Sequence, residues 1–169
     1  AVREEIYARW QREKVVLFIA HHRGLEAPGV LGMLLDSLVV NGLMEAIVRS
    51  LADPDSIASS AGGIAILTFD KTDEALEMGR ALLTRLTENG VPARVAIDAG
   101  IVLLLRNPAG PSGIAGDPVN IASKLSEDMG RDGHIRISDR ALRSMTRTPL
   151  GERFETTVSN VQLKGVVLG

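Results

Sequence analysis

The 169-residue chain is 45% hydrophobic and 24% charged, the balance of one globular domain with its own core rather than of a disordered segment. A formal net charge of -2, a pI near 5.9 and one Trp, one Tyr and three Phe give no reason to expect nucleic acid or an anionic membrane as a partner, and make the core aliphatic. The lack of cysteine excludes disulfides, thiolate metal sites and a Cys nucleophile, and fits a reducing compartment; the expected location is cytoplasmic.

In chain order, residues 1–14 read as a charged lead-in segment or a short amphipathic helix, with Ile6 and Trp10 one turn apart. The opening Ala1-Val2-Arg3-Glu4-Glu5 is not a signal peptide, and without an initiator Met it is expected to be a trimmed end or the inside of a longer chain. Residues 15–20 form a compact apolar run, a buried strand, followed by the polar exit His21-His22-Arg23-Gly24. Residues 30–51 give the clearest helix: Leu31, Leu34, Leu35 and Leu38 recur at helical spacing, with Ser37, Asn41, Glu45 and Arg49 as its polar face. No stretch is expected to span a membrane, which takes roughly 18 apolar residues.

Residues 57–60 and 64–69 flank Ala61-Gly62-Gly63 and predict a β-hairpin. Thr72 or Asp70 is the expected cap of a helix that runs to about Glu88 and stops at Asn89-Gly90. Residues 94–105 form a long β-rich run with Gly100 as a bend or bulge, and residues 106–116 read as a Gly- and Pro-rich loop. Gly116-Asp117-Pro118-Val119-Asn120-Ile121-Ala122-Ser123-Lys124-Leu125 opens a helix, with Asp117 as cap and Pro118 in the first turn. Val119, Ala122 and Leu125 are expected to face the core. Asn120 and Lys124, at i and i+4, share another face and could hold a phosphate. Residues 134–138 predict a short strand, Asp139 the cap of a helix through Met145, and residues 154–158 and 161–167 a closing pair of strands.

This order predicts an α+β fold, a ferredoxin-like core with a mixed, mainly antiparallel sheet and helices covering one face. The motifs along it resemble the catalytic domain of class III adenylate/guanylate cyclases. Val16-Leu17-Phe18 leading to Gly24-Leu25 resembles that family's first strand and the glycine after it. Gly62 with residues 64–69 resembles its hairpin, and residues 95–102 its strand ending in a glycine bend. Residues 116–125 resemble its Gly-x-x-Val-Asn-x-Ala-x-Arg-Leu segment, and Leu163-Lys164-Gly165-Val166 its Leu-Lys-Gly near the end. The resemblance implies one cyclase-homology domain over residues 15–169, after the lead-in of residues 1–14.

It also implies particular side chains, and most are missing. The two metal-binding aspartates fall on His21 and Gly63. Magnesium prefers hard oxygen ligands, so an imidazole is a poor substitute and a glycine none at all. Shifting the alignment by one gives Ala20 or His22 and Gly62 or Ile64, still without a carboxylate. The base-recognition lysine and aspartate fall on Ser59 and Gly113. Asn120, the ribose-positioning residue by resemblance, is kept; the transition-state arginine is Lys124, which keeps the charge but not the bidentate fork. The vestigial nucleotide-binding set is therefore Asn120 and Lys124, with no catalytic or metal-binding residue and no cofactor expected.

Other residues give weaker signals. His21-His22 are adjacent and point to opposite faces of a strand, so a polar loop is expected there rather than a metal site. His134 reads as a lone strand histidine, and Asp98 as a surface or interface residue. The expectation is a catalytically inactive regulatory or dimerisation domain in cyclic-nucleotide or related intracellular signalling. It would pair as a homodimer or as a heterodimer with an intact cyclase domain, and a nucleotide is a possible ligand. The alternatives are a divergent cyclase with weak or partner-dependent activity, and a nucleotide sensor without turnover.

Overall fold

The computed structural model describes residues 2–21 and 29–146. The expected strands at residues 154–158 and 161–167, the Leu163–Val166 motif, and His22 and Gly24-Leu25 lie outside the described residues. Helix α1 (Val2–Trp10) leads into strand β1 (Gln11–His21), then α2 (Gly29–Leu51), β2 (Ile57–Ala61) and β3 (Ile64–Phe69). Next come α3 (Thr72–Glu88), β4 (Ala93–Asn107), β5 (Gly110–Ala115), α4 (Asp117–Met129), β6 (Ile135–Ile137) and α5 (Asp139–Arg143). The sheet order is β2-β3-β1-β4-β5, antiparallel throughout, with β6 added parallel to β4. The α+β expectation and the mixed, mainly antiparallel sheet are borne out. The sheet curls toward closure: β2 and β5 touch, and Arg106 of β4 donates to the Asp55 carbonyl (3.1 Å) before β2.

Alternation along β1 divides the core. Val15, Leu17 and Ile19 pack with α2 and α3, around Met44, Val48, Leu82 and Leu86. Val16 and Phe18 pack on the opposite face with Ala122 of α4, flanked by Val119 and Leu125. The expectation for Val119, Ala122 and Leu125 therefore holds, but helices cover both faces of the sheet rather than one.

Strand β1 starts at Gln11, four residues before the apolar run, because ladder hydrogen bonding to β4 extends past the burial that makes a strand visible in sequence. Helix α1 buries none of its residues; Ile6 is exposed, and Arg3 and Arg9 cover the rings of Tyr7 and Trp10. The Gly- and Pro-rich residues 106–116 are not a loop but largely β5, hairpinned on β4 with a register shift between Leu105 and Arg106. Pro111 is tolerated there because β5 lies at the end of the strand order. Gly100 (φ 153°) lies within β4 and makes no bulge: the pairing with β1 runs unbroken through Lys14↔Gly100.

The expected caps move by one residue. Lys71 precedes α3 without a side-chain cap, while Thr72 is inside the helix with its hydroxyl on Ser144 (2.7 Å) and Asp70 binds Lys14 (2.5 Å). Ser138, not Asp139, caps α5 by accepting from the Ala141 amide (3.2 Å), and Gly116, not Asp117, precedes α4. The stop at Asn89-Gly90 is a Schellman turn: Val91 N–H donates to Leu86 O (2.9 Å) and Gly90 N–H to Thr87 O (3.0 Å).

The largest departure is α2. Its core face is Val40, Met44, Ile47 and Val48, while the stripe of Leu31, Leu34, Leu35 and Leu38 that makes it recognisable as a helix is exposed. By length and composition α2 is also long and apolar enough to cross a membrane, which corrects the expectation that no stretch is. Its second half is instead built into the core of the sheet.

Candidate functional site

The end of β1, the β2–β3 turn and the middle of α2 meet at one point. The turn needs Gly62 (φ 62°) and Gly63 (φ 78°), both in the left-handed region that a two-residue hairpin turn imposes. The His21 amide donates to the Gly63 carbonyl (3.1 Å), which fixes the end of β1 on the turn. The His21 side chain crosses to α2, where Nε2 lies 2.7 Å from Oδ1 of Asn41. An amide oxygen only accepts, so Nε2 is the donor in this contact. Nδ1 of His21 is buried without a partner among the described residues.

The two positions that the resemblance assigns to metal-binding aspartates are therefore adjacent in space. What they contain does not fit a divalent metal. A Cβ at residue 63 would sit 2.3 Å from His21 Nε2, 2.4 Å from its Cδ2 and 2.7 Å from Asn41 Oδ1. The imidazole and the amide fill the volume that a second carboxylate would occupy. Among the described residues no cluster of three or more His, Cys, Asp and Glu could hold a metal ion. Asn41, read in sequence only as part of a polar helix face, is the residue whose role the sequence did not show.

Asn120 and Lys124 lie elsewhere. They sit on α4, which packs on the sheet face opposite to α2 and α3, so the fold does not bring them to His21 and Gly63 within one chain. Asn120 is exposed and Lys124 half-buried, and neither side chain has a hydrogen-bond or ion-pair partner among the described residues. The start of α4 is fixed tightly against β4: a Cβ on Gly116 (φ 144°) would lie 2.9 Å from the Ile101 carbonyl oxygen. Ser59 is exposed on β2, and Gly113 on β5 has room for a side chain, Leu105 Cδ1 being 3.8 Å from its notional Cβ.

Asp98 corrects the sequence reading: it is fully buried, not at the surface. Its carboxylate accepts from the Ser138 hydroxyl (2.5 Å), from Arg140 Nε (2.7 Å) and from Arg140 Nη2. The hydrogen bonds to Asp98 raise the Arg140 pKa above its ordinary value, against the opposing pull of partial burial. The signal was a lone carboxylate within the apolar run Val95-Ala96-Ile97-Asp98-Ala99; an acid in such a strand must find a buried cation or donor. The pair ties the start of α5 to β4, beside Gly100 and the Pro118 turn of α4.

No sequence-family profile matches the chain, and no curated protein sequence matches it either. Solved structures do. The guanylate cyclase domain of RhGC from Catenaria anguillulae, solved with GTP, superposes with a TM-score of 0.64 at 19% identity over 92% of each chain. An adenylate cyclase from Trypanosoma brucei, in its monomeric state, gives 0.66 at 14% identity over 91% of this chain and 85% of its own. The dimeric guanylyl cyclase domain of the RhoGC fusion protein from the aquatic fungus Blastocladiella emersonii gives 0.59 at 16% identity over 79% and 84%. The chain thus has the fold of the class III adenylate/guanylate cyclase catalytic domain.

Proposed function

We propose that this is a catalytically silent cyclase-fold domain that serves cyclic-nucleotide or related intracellular signalling by associating with other domains, not by turnover. One observation carries the reading: the His21 imidazole and Asn41 amide occupy the space that a carboxylate at residue 63 would need. Phosphoryl transfer rests on metal ions and positioned cations that neutralise developing charge. Here neither metal position offers a carboxylate, and Lys124 would supply a single point charge in place of a fork. Association is supported by the dimeric state of the Blastocladiella emersonii domain and by the separation of the two half-sites on opposite sheet faces. The partner would be a second copy or an intact cyclase domain, and the setting cytoplasmic.

Purified chain incubated with ATP or GTP and Mg²⁺ or Mn²⁺ forms no cyclic nucleotide above a Lys124→Ala control on this account. Metal-dependent product above that control would overturn it in favour of a divergent cyclase. A second reading, a sensor that binds nucleotide without turnover, draws on the unpartnered Asn120 and Lys124 side by side on α4 and on the GTP held by the Catenaria anguillulae domain. A thermal shift with ATP or GTP that Asn120→Ala abolishes would favour the sensor. No shift favours the scaffold.

A further inference from the structure

The first three turns of α2 present Val30, Leu31, Leu34, Leu35, Leu38 and Val39, each 55% to 71% exposed, on the side away from the sheet. A solvent face should be polar there, as it is further on at Glu45 and Arg49, which pair with each other (2.9 Å). Instead Leu31 and Leu38, one heptad apart, run down the middle of an aliphatic stripe flanked by Leu34 and Leu35.

From this we infer that the outer stripe of α2 is a pairing surface for a second copy of the chain, helix against helix about a two-fold axis. The inference rests on the association reading above and names the surface for it, independently of catalytic silence. The six side chains together expose roughly 600–700 Å² of apolar surface, at the upper end of the patch that monomers expose and somewhat under the ~800 Å² per partner of a standard stable interface, which the flanks of the helix would complete. It is self-complementary: it carries aliphatic side chains only, with Asp36 the one charge between Gly29 and Met44. Antiparallel pairing would lay Leu31 against the partner's Leu38 and oppose the two helix dipoles favourably. A lipid surface fits less well. The exposed turns reach only about 15 Å, half a bilayer core, and a helix lying in a membrane surface carries Lys and Arg beside its apolar face. The first cation along α2 is Arg49.

The test is sedimentation of the full 169-residue chain across a concentration series, with two paired variants. Wild type should show a monomer–dimer equilibrium. Leu31→Glu/Leu38→Glu and Leu31→Lys/Leu38→Lys should each weaken it at least tenfold, with far-UV circular dichroism unchanged, and with melting unchanged at concentrations where wild type is itself monomeric, because both positions are exposed in the single chain. An equimolar mixture of the two variants should recover the dimer, since opposite charges then meet across the two-fold. If wild type and both variants dimerise equally, the stripe is not the surface and this inference falls while association stands. A wild type that stays monomeric overturns both, and binding of that monomer to neutral phosphatidylcholine vesicles would identify a lipid surface as what covers the stripe instead.

Discussion

Replacing Gly63 by Ala adds one methyl group where the structure has no room for it. Two costs follow. A non-glycine residue at φ 78° is strained by roughly 1 kcal/mol or more. The new Cβ would also fall 2.3 Å from His21 Nε2, and the ring can retreat only by giving up its hydrogen bond to Asn41. Overpacking of this kind typically costs about 1–3 kcal/mol. The sum is about 2–4 kcal/mol, equivalent to a fall in Tm of roughly 5–15 °C for a domain of this size. Chemical denaturation of wild type, Gly63→Ala, His21→Ala and the double variant closes a cycle. His21→Ala removes the collision but not the strained φ, so the two substitutions should couple favourably by about 1–3 kcal/mol. Gly63→Ala within about 0.5 kcal/mol of wild type, or a coupling near zero, would refute the claim that His21 fills the space beside residue 63.

The buried carboxylate and the exposed ion pair make contrasting predictions. Arg140→Ala leaves Asp98 fully buried with only the Ser138 hydroxyl, and should cost about 3–5 kcal/mol by denaturant unfolding; Arg140→Lys should recover only part of it, lacking the two-pronged geometry. A cost under about 1 kcal/mol would mean that Asp98 is not held as a charge there. Asp70 is largely exposed, and its hydrogen bond and charge attraction to Lys14 hold its carboxyl below the ordinary value. A lowered folded-state pKa stabilises above the unfolded value near 3.8 and is lost as pH falls through the folded value. Asp70→Asn should therefore cost under about 1 kcal/mol at neutral pH, and less in high salt. The gap to wild type should close only below about pH 4. A gap that persists at lower pH would place the effect outside this ion pair.

Sequence patterns revealed the frame of the fold because the frame is local: the two-glycine turn, the Schellman stop after Glu88, and the alternation that splits Val15–Ile19 from Val16–Phe18 are all written in adjacent residues. Elements held by pairing alone were hidden. Strand β5 has Gly and Pro in place of β-branched residues and exists through its ladder to β4, so composition reads it as loop. Helix α2 misled in the opposite way. Its leucine periodicity marks a helix, but periodicity does not say which side is covered, and the less regular Val40, Met44, Ile47 and Val48 are the side that is. At the candidate site, the loss of carboxylates was readable from His21 and Gly63. Its physical consequence depended on Asn41, twenty residues away and reached by a long-range contact that no local pattern encodes. Asp98 was misjudged for the same reason, its partner being Arg140, forty-two residues on.

The most direct test of the central claim is a Mn²⁺ titration of the purified chain, with and without ATP, followed by electron paramagnetic resonance of the free ion. Filling of the metal position by His21 and Asn41 predicts no loss of free Mn²⁺ signal that depends on these residues, so wild type and His21→Ala should titrate alike. Stoichiometric binding by wild type that His21→Ala abolishes would contradict it.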